Sequence, residues 1–103
     1  MNNNLEIILD LLEEIEKVDK MIELHKTTDS KIMYNQYANQ KMKLSGLLFK
    51  ELLTNTDQDS EIMFIIKLFL EKFYDKEIRA ANFSEDSYLE KIRDVMSHKL
   101  QYQ

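Results

Sequence analysis

The chain is predicted to be all-α, an antiparallel up-down-up-down four-helix bundle that opens with a long N-terminal helical hairpin. Three observations predict it. The 103 residues contain no proline and a single glycine, Gly46, so almost nothing interrupts a helix. Apolar residues recur three and four apart over long stretches, which is the period of a helix face. Between these stretches lie short polar breaks made of the Ser, Thr, Asp and Asn residues that cap helix N-termini. The length suits one domain over residues 1–103 with one continuous core.

The first helix is predicted over residues 4–26. Ile8, Leu11, Ile15, Val18, Ile22 and His25 form a seam along one side. Leu5, Ile7, Leu9 and Leu12 widen the apolar face near the start, so that end is expected to sit deeper than the end at residues 20–26. Glu13 with Lys17 and Glu16 with Lys20 are acid-before-base pairs four apart on the wet side, worth about 0.2–0.5 kcal/mol each. Thr27, Thr28, Asp29 and Ser30 then make a break short enough to force an antiparallel return.

The second helix is predicted over residues 31–54, with Met33 or Tyr34, Tyr37, Lys41, Leu44, Leu47, Leu48 and Leu52 facing inward. Gly46 in its interior costs about 1 kcal/mol relative to alanine. Close approach of a neighbouring helix is the preferred account of it, and a hinge is the other.

After the polar break at residues 55–60, the third helix is predicted to run to about Ala81. It contains the stretch around which the chain is organised, Ile62 to Tyr74, in which ten of thirteen residues are apolar or aromatic. One stripe of a surface helix does not need so many, so this helix is expected to be the most enclosed of the four, wrapped by the chain's other helices or by a partner. The last break holds Asn82, Phe83 and Ser84. With Ser84 as the cap, Phe83 and Tyr88 take the two positions of a hydrophobic staple, and Glu85 and Asp86 fill the first turn. The fourth helix then carries Tyr88 or Leu89, Ile92, Val95 or Met96, and Leu100 inward.

Charge and composition exclude several function classes. The net charge is −5, and residues 1–26 hold seven acids against three lysines, while residues 27–54 hold four lysines against two acids. The first two helices therefore attract each other. An acidic chain does not offer the lysine and arginine surface that DNA or an anionic membrane requires, but it suits a basic partner. With no cysteine there is no disulfide, thiolate metal site or cysteine nucleophile, and the N-terminal residues lack the pattern of a signal peptide. A cytoplasmic location is expected.

Few residues offer chemistry. A di-metal carboxylate bundle needs Glu three residues before His on two helices, whereas Ile22 and Val95 precede His25 and His98 at that spacing. Asp94 and His98, four apart, are two ligands and not a site, so neither metal nor cofactor is expected. His25 reads as a helix-end group on the seam. One glycine cannot build a phosphate loop, and no serine stands in a nucleophile elbow. Lys72, Lys76 and Arg79 are interleaved with Glu71, Asp75 and Glu77, the pattern of a solvated, salt-bridged face.

The segment Arg93-Asp94-Val95-Met96-Ser97-His98 resembles the Arg-x4-His motif of HEPN-type ribonucleases, small helical bundles in which two motifs meet across a dimer and cleave RNA without metal. The resemblance covers six residues and implies that Arg93 stabilises phosphate charge, His98 transfers protons and Asp94 orients them. Five residues is about 140° around a helix, so Arg93 and His98 do not share one face. The other reading of these residues pairs Arg93 with Glu90 or Asp94 and leaves His98 to cap the last turn.

The favoured function is that of a non-enzymatic small acidic helical protein that binds another protein, as an inhibitor, immunity protein or antitoxin, or as a subunit of an assembly. Partner-binding residues are expected on the acidic face of the first helix: Glu6, Leu9, Asp10, Glu13, Glu14 and Glu16. The alternatives are the dimeric, metal-independent ribonuclease, which alone involves RNA, and a structural homo-oligomer.

Overall fold

A computed structural model of the protein describes residues 3–26, 30–54, 59–83 and 87–101. Among the described residues every regular element is a helix: α1 (Asn3–Lys26), α2 (Lys31–Thr54), α3 (Asp59–Phe73), α4 (Asp75–Arg79) and α5 (Tyr88–Gln101). They fall into two compact units, residues 1–73 and residues 74–103.

In the first unit α1 and α2 form the expected antiparallel hairpin. Asn4, near the start of α1, donates from Nδ2 to Glu51 Oε1 near the end of α2 at 3.4 Å. At the opposite end the His25 ring stacks on Tyr37, with centroids 5.5 Å apart. The core lies along the predicted seam. Ile15, Val18 and Ile22 of α1, Leu48 and Leu52 of α2 and Ile62, Phe69 and Phe73 of α3 are buried, and Ile15 is 0 % exposed. Phe69 meets Phe49 edge-on at 5.4 Å, an arrangement that aromatic rings prefer to a face-to-face sandwich, and Phe73 at a tilt of 40° and 5.0 Å.

Burial along α1 runs opposite to the expectation. Leu5, Ile7 and Leu9 are exposed, while Ile15, Val18 and Ile22 are enclosed. Of the residues expected to widen the apolar face at the start of α1, only Leu12 is half-buried; Leu5, Ile7 and Leu9 are surface. On α2, Lys41 and Leu48 face inward as predicted, but Leu47 is exposed and Ser45 takes a buried place. Ser45 fits because its hydroxyl donates to the Lys41 carbonyl at 2.7 Å, so no buried polar group goes unsatisfied there. Gly46 is exposed, and a Cβ added to it would meet nothing within 4 Å, which overturns the close-approach account of this glycine.

The helix predicted to continue to about Ala81 stops at Phe73. Tyr74 sits at φ −133° and ψ 13°, outside helical geometry, before the five residues of α4. Neither proline nor glycine is responsible. The Phe73 carbonyl accepts a hydrogen bond from the buried Lys41 ammonium, a side chain 32 positions away, at the place where the ladder ends. Nor is α3 wrapped: Ile62, Phe69 and Phe73 are buried, but Met63, Phe64, Ile65 and Leu68 are exposed.

Caps follow the sequence in part. Ser30 Oγ accepts the Met33 amide at 3.4 Å at the start of α2, whereas Thr27, Thr28 and Asp29 lie outside the described residues. In the second unit α5 begins at Tyr88, with Ser87 as its cap: Ser87 Oγ accepts from Leu89 N at 3.0 Å, and its carbonyl accepts from Glu90 N at 3.1 Å. Tyr88 is thus the first residue of α5, not the staple partner that a cap at Ser84 would make it. Ser84, Glu85, Asp86 and the Leu100 side chain lie outside the described residues. Leu89, Ile92, Val95 and Met96, predicted inward on α5, are all exposed.

Candidate functional site

The helix faces of the first unit leave a groove between α1 and α3. Its volume is about 380 Å³, and Leu12, Glu13 and Glu16 of α1 line it together with Ile65, Leu68, Phe69, Lys72 and Phe73 of α3. The sequence builds both walls by helical spacing. On α1, Leu12 and Glu16 are one turn apart, and Leu9 lies three and four residues before Leu12 and Glu13 and carries the same side onward. On α3, Ile65, Leu68 and Lys72 form one row while Ile62, Phe69 and Phe73 turn to the core, so the helix is apolar on two sides at once.

The floor of the groove is apolar and its α1 edge is acidic. Lys72 Nζ stands 3.8 Å from Glu16 Oε2 across the groove, and Lys17 Nζ lies 3.7 Å from Glu13 and 3.6 Å from Glu14. All these groups are well exposed, so each pair contributes well under about 1 kcal/mol and yields easily to a competing cation. An apolar trough with a charged edge suits the apolar face of an amphipathic helix.

The residues predicted for partner binding, Glu6, Leu9, Asp10, Glu13, Glu14 and Glu16, are all exposed on α1. Glu13 and Glu16 line the groove; Glu6, Leu9, Asp10 and Glu14 do not. Ile65 and Leu68 of α3 lie in the 62–74 stretch, whose surplus of apolar residues asks for cover from other helices or from a partner, but nothing in the sequence singles out these two.

Arg93, Asp94 and His98 lie on α5, all exposed. Arg93 donates to Asp94 Oδ1 from Nη2 at 2.8 Å and from Nε at 3.2 Å, with Glu90 Oε1 at 4.0 Å. Its guanidinium also lies over the Phe83 ring, 5.0 Å from the centroid. The hydrogen bond to Asp94, helped by the charges of Asp94 and Glu90, holds the Arg93 pKa above its ordinary value. Among the described residues no three His, Asp or Glu side chains are grouped to hold a metal ion, and no helix is long and apolar enough to cross a membrane.

Comparison of the chain with models of known protein families, with curated proteins and with solved structures finds no match.

Proposed function

We propose that the protein is a non-enzymatic binding protein whose α1–α3 groove receives an amphipathic helix of a partner, in the manner of an inhibitor, an antitoxin or an assembly subunit. The observation that carries this reading is exposed apolar surface at and beside the groove: Ile65 and Leu68 in its α3 wall, and Leu5 and Leu9 further along α1, beyond the groove lining. Contiguous apolar surface of this kind, with a charged rim, marks an interaction site. The partner helix would present aliphatic residues to the groove floor and basic residues to Glu13 and Glu16. It would supply the fourth member of the antiparallel bundle that the sequence predicts, laid over the open sides of α1 and α3.

The test is affinity capture with the wild-type protein and with a Leu9→Asp, Leu68→Asp double variant, both shown to be folded by circular dichroism. The reading expects a protein that the wild type retains and the variant loses, with retention weakening as salt rises. Equal capture by the two baits overturns it.

A further inference from the structure

The second unit contains a helix that answers this description. Within α5, Tyr88, Leu89, Ile92, Val95 and Met96 fall on one arc at spacings of three and four, and all five are exposed. Lys91 and His98 are seven residues apart, and each is three or four residues from Val95, so together they form a basic edge along that arc. Glu90 and Asp94 lie on the opposite side, where Arg93 is bonded to both. The helix is therefore apolar in front, basic along one edge and acidic only behind. The groove of the first unit is its complement, apolar on the floor and acidic along the edge formed by Glu13 and Glu16.

We propose that α5 is the helix this groove receives, and that it comes from a second copy of the chain. The inference rests on the groove reading given above. In a two-fold pair each chain inserts its α5 into the other's groove, so the same contact is made twice and the pair closes without leaving a free end. Apolar burial doubles with it, which raises a single helix contact toward the area that a stable interface needs. Lys91 and His98 approach Glu13 and Glu16, replacing the exposed contacts of those acids with Lys17 and Lys72.

The experiment is absolute mass by light scattering over a hundredfold range of concentration, on the full chain and on two charge-reversed variants. One variant is Glu13→Lys with Glu16→Lys, the other Lys91→Glu with His98→Glu. Wild type should rise from the mass of one chain to that of two, and each variant alone should need at least tenfold more protein to pair. Mixed in equal amounts, the two variants should pair again, because one contact of the mixed dimer is wild-type and the other has both charges reversed. Wild type that keeps the mass of one chain throughout overturns the proposal, and so does a dimer that both variants form as readily as wild type. A single-chain mass together with groove-dependent capture of another protein sinks only the self-pairing. Pairing and capture that are both indifferent to Leu9→Asp with Leu68→Asp sink the groove reading as well.

Discussion

Lys41 Nζ lies 2.9 Å from Asp19 Oδ1, and the same ammonium donates to the Phe73 carbonyl, so one buried lysine of α2 fastens α1 on one side and the end of α3 on the other. The lysine side chain is 3 % exposed and the aspartate 34 %. The two partners are therefore not equivalent: freed of its partner, Asp19 regains water, whereas Lys41 does not.

Removing the acid should accordingly cost more than removing the base. Asp19→Ala leaves a buried ammonium with its carboxylate gone and is expected to destabilise by about 3 kcal/mol. Lys41→Met, which keeps the volume but takes the donor from the Phe73 carbonyl, is expected to cost about 1–2 kcal/mol. The double variant should cost less than the sum, since neither charge is then stranded. Urea unfolding of the four proteins measures all three quantities, and strict additivity would show that the pair is not coupled.

Gly46→Ala should stabilise the protein by about 1 kcal/mol, because alanine is the better helix former and the new methyl meets open space. Thermal unfolding would register this as a rise of several degrees. A loss of stability would mean that this position needs its glycine for motion or for contact with a partner.

Ile15 and Leu9 lie less than two turns apart on α1 and should behave oppositely. Ile15 is completely buried and Leu9 is 54 % exposed. Ile15→Ala is expected to cost about 3–4 kcal/mol through lost transfer energy and the cavity it leaves. Leu9→Ala should change stability by no more than about 0.5 kcal/mol. A large cost at Leu9 in dilute solution would mean that this surface is already covered.

Arg93→Ala and His98→Ala should leave stability within about 0.5 kcal/mol of wild type, since both side chains are exposed on α5. A non-enzymatic protein also predicts that the wild type does not cleave RNA. Cleavage of a labelled RNA by the wild type that disappears in both variants would restore the ribonuclease reading.

Much of the fold was legible because helices are written locally. The seam from Ile8 to His25, the hairpin at Ser30 and the inward place of Lys41 all follow from the three-and-four spacing of a helix and from cap chemistry read within a few residues. The candidate site was half legible. The acidic helix face that holds Glu13 and Glu16 shows in sequence, and so does the apolar surplus of the 62–74 stretch, but not that Ile65 and Leu68 are the members that line a groove: an apolar residue on a surface groove and one in a core have the same letter. Likewise Tyr88 and Val95 fit an inward position by spacing alone, and only the tertiary structure shows them exposed.

What the chain by itself determined, then, was its helices, their amphipathic faces and the attraction between the first two. Where those faces went was decided in three dimensions. At the end of α3 the Phe73 carbonyl accepts from an ammonium that arrives from 32 residues away, and no local pattern encodes a hydrogen bond of that reach. Periodicity states which residues share a side of a helix, and only packing against a particular neighbour decides whether that side meets protein or water.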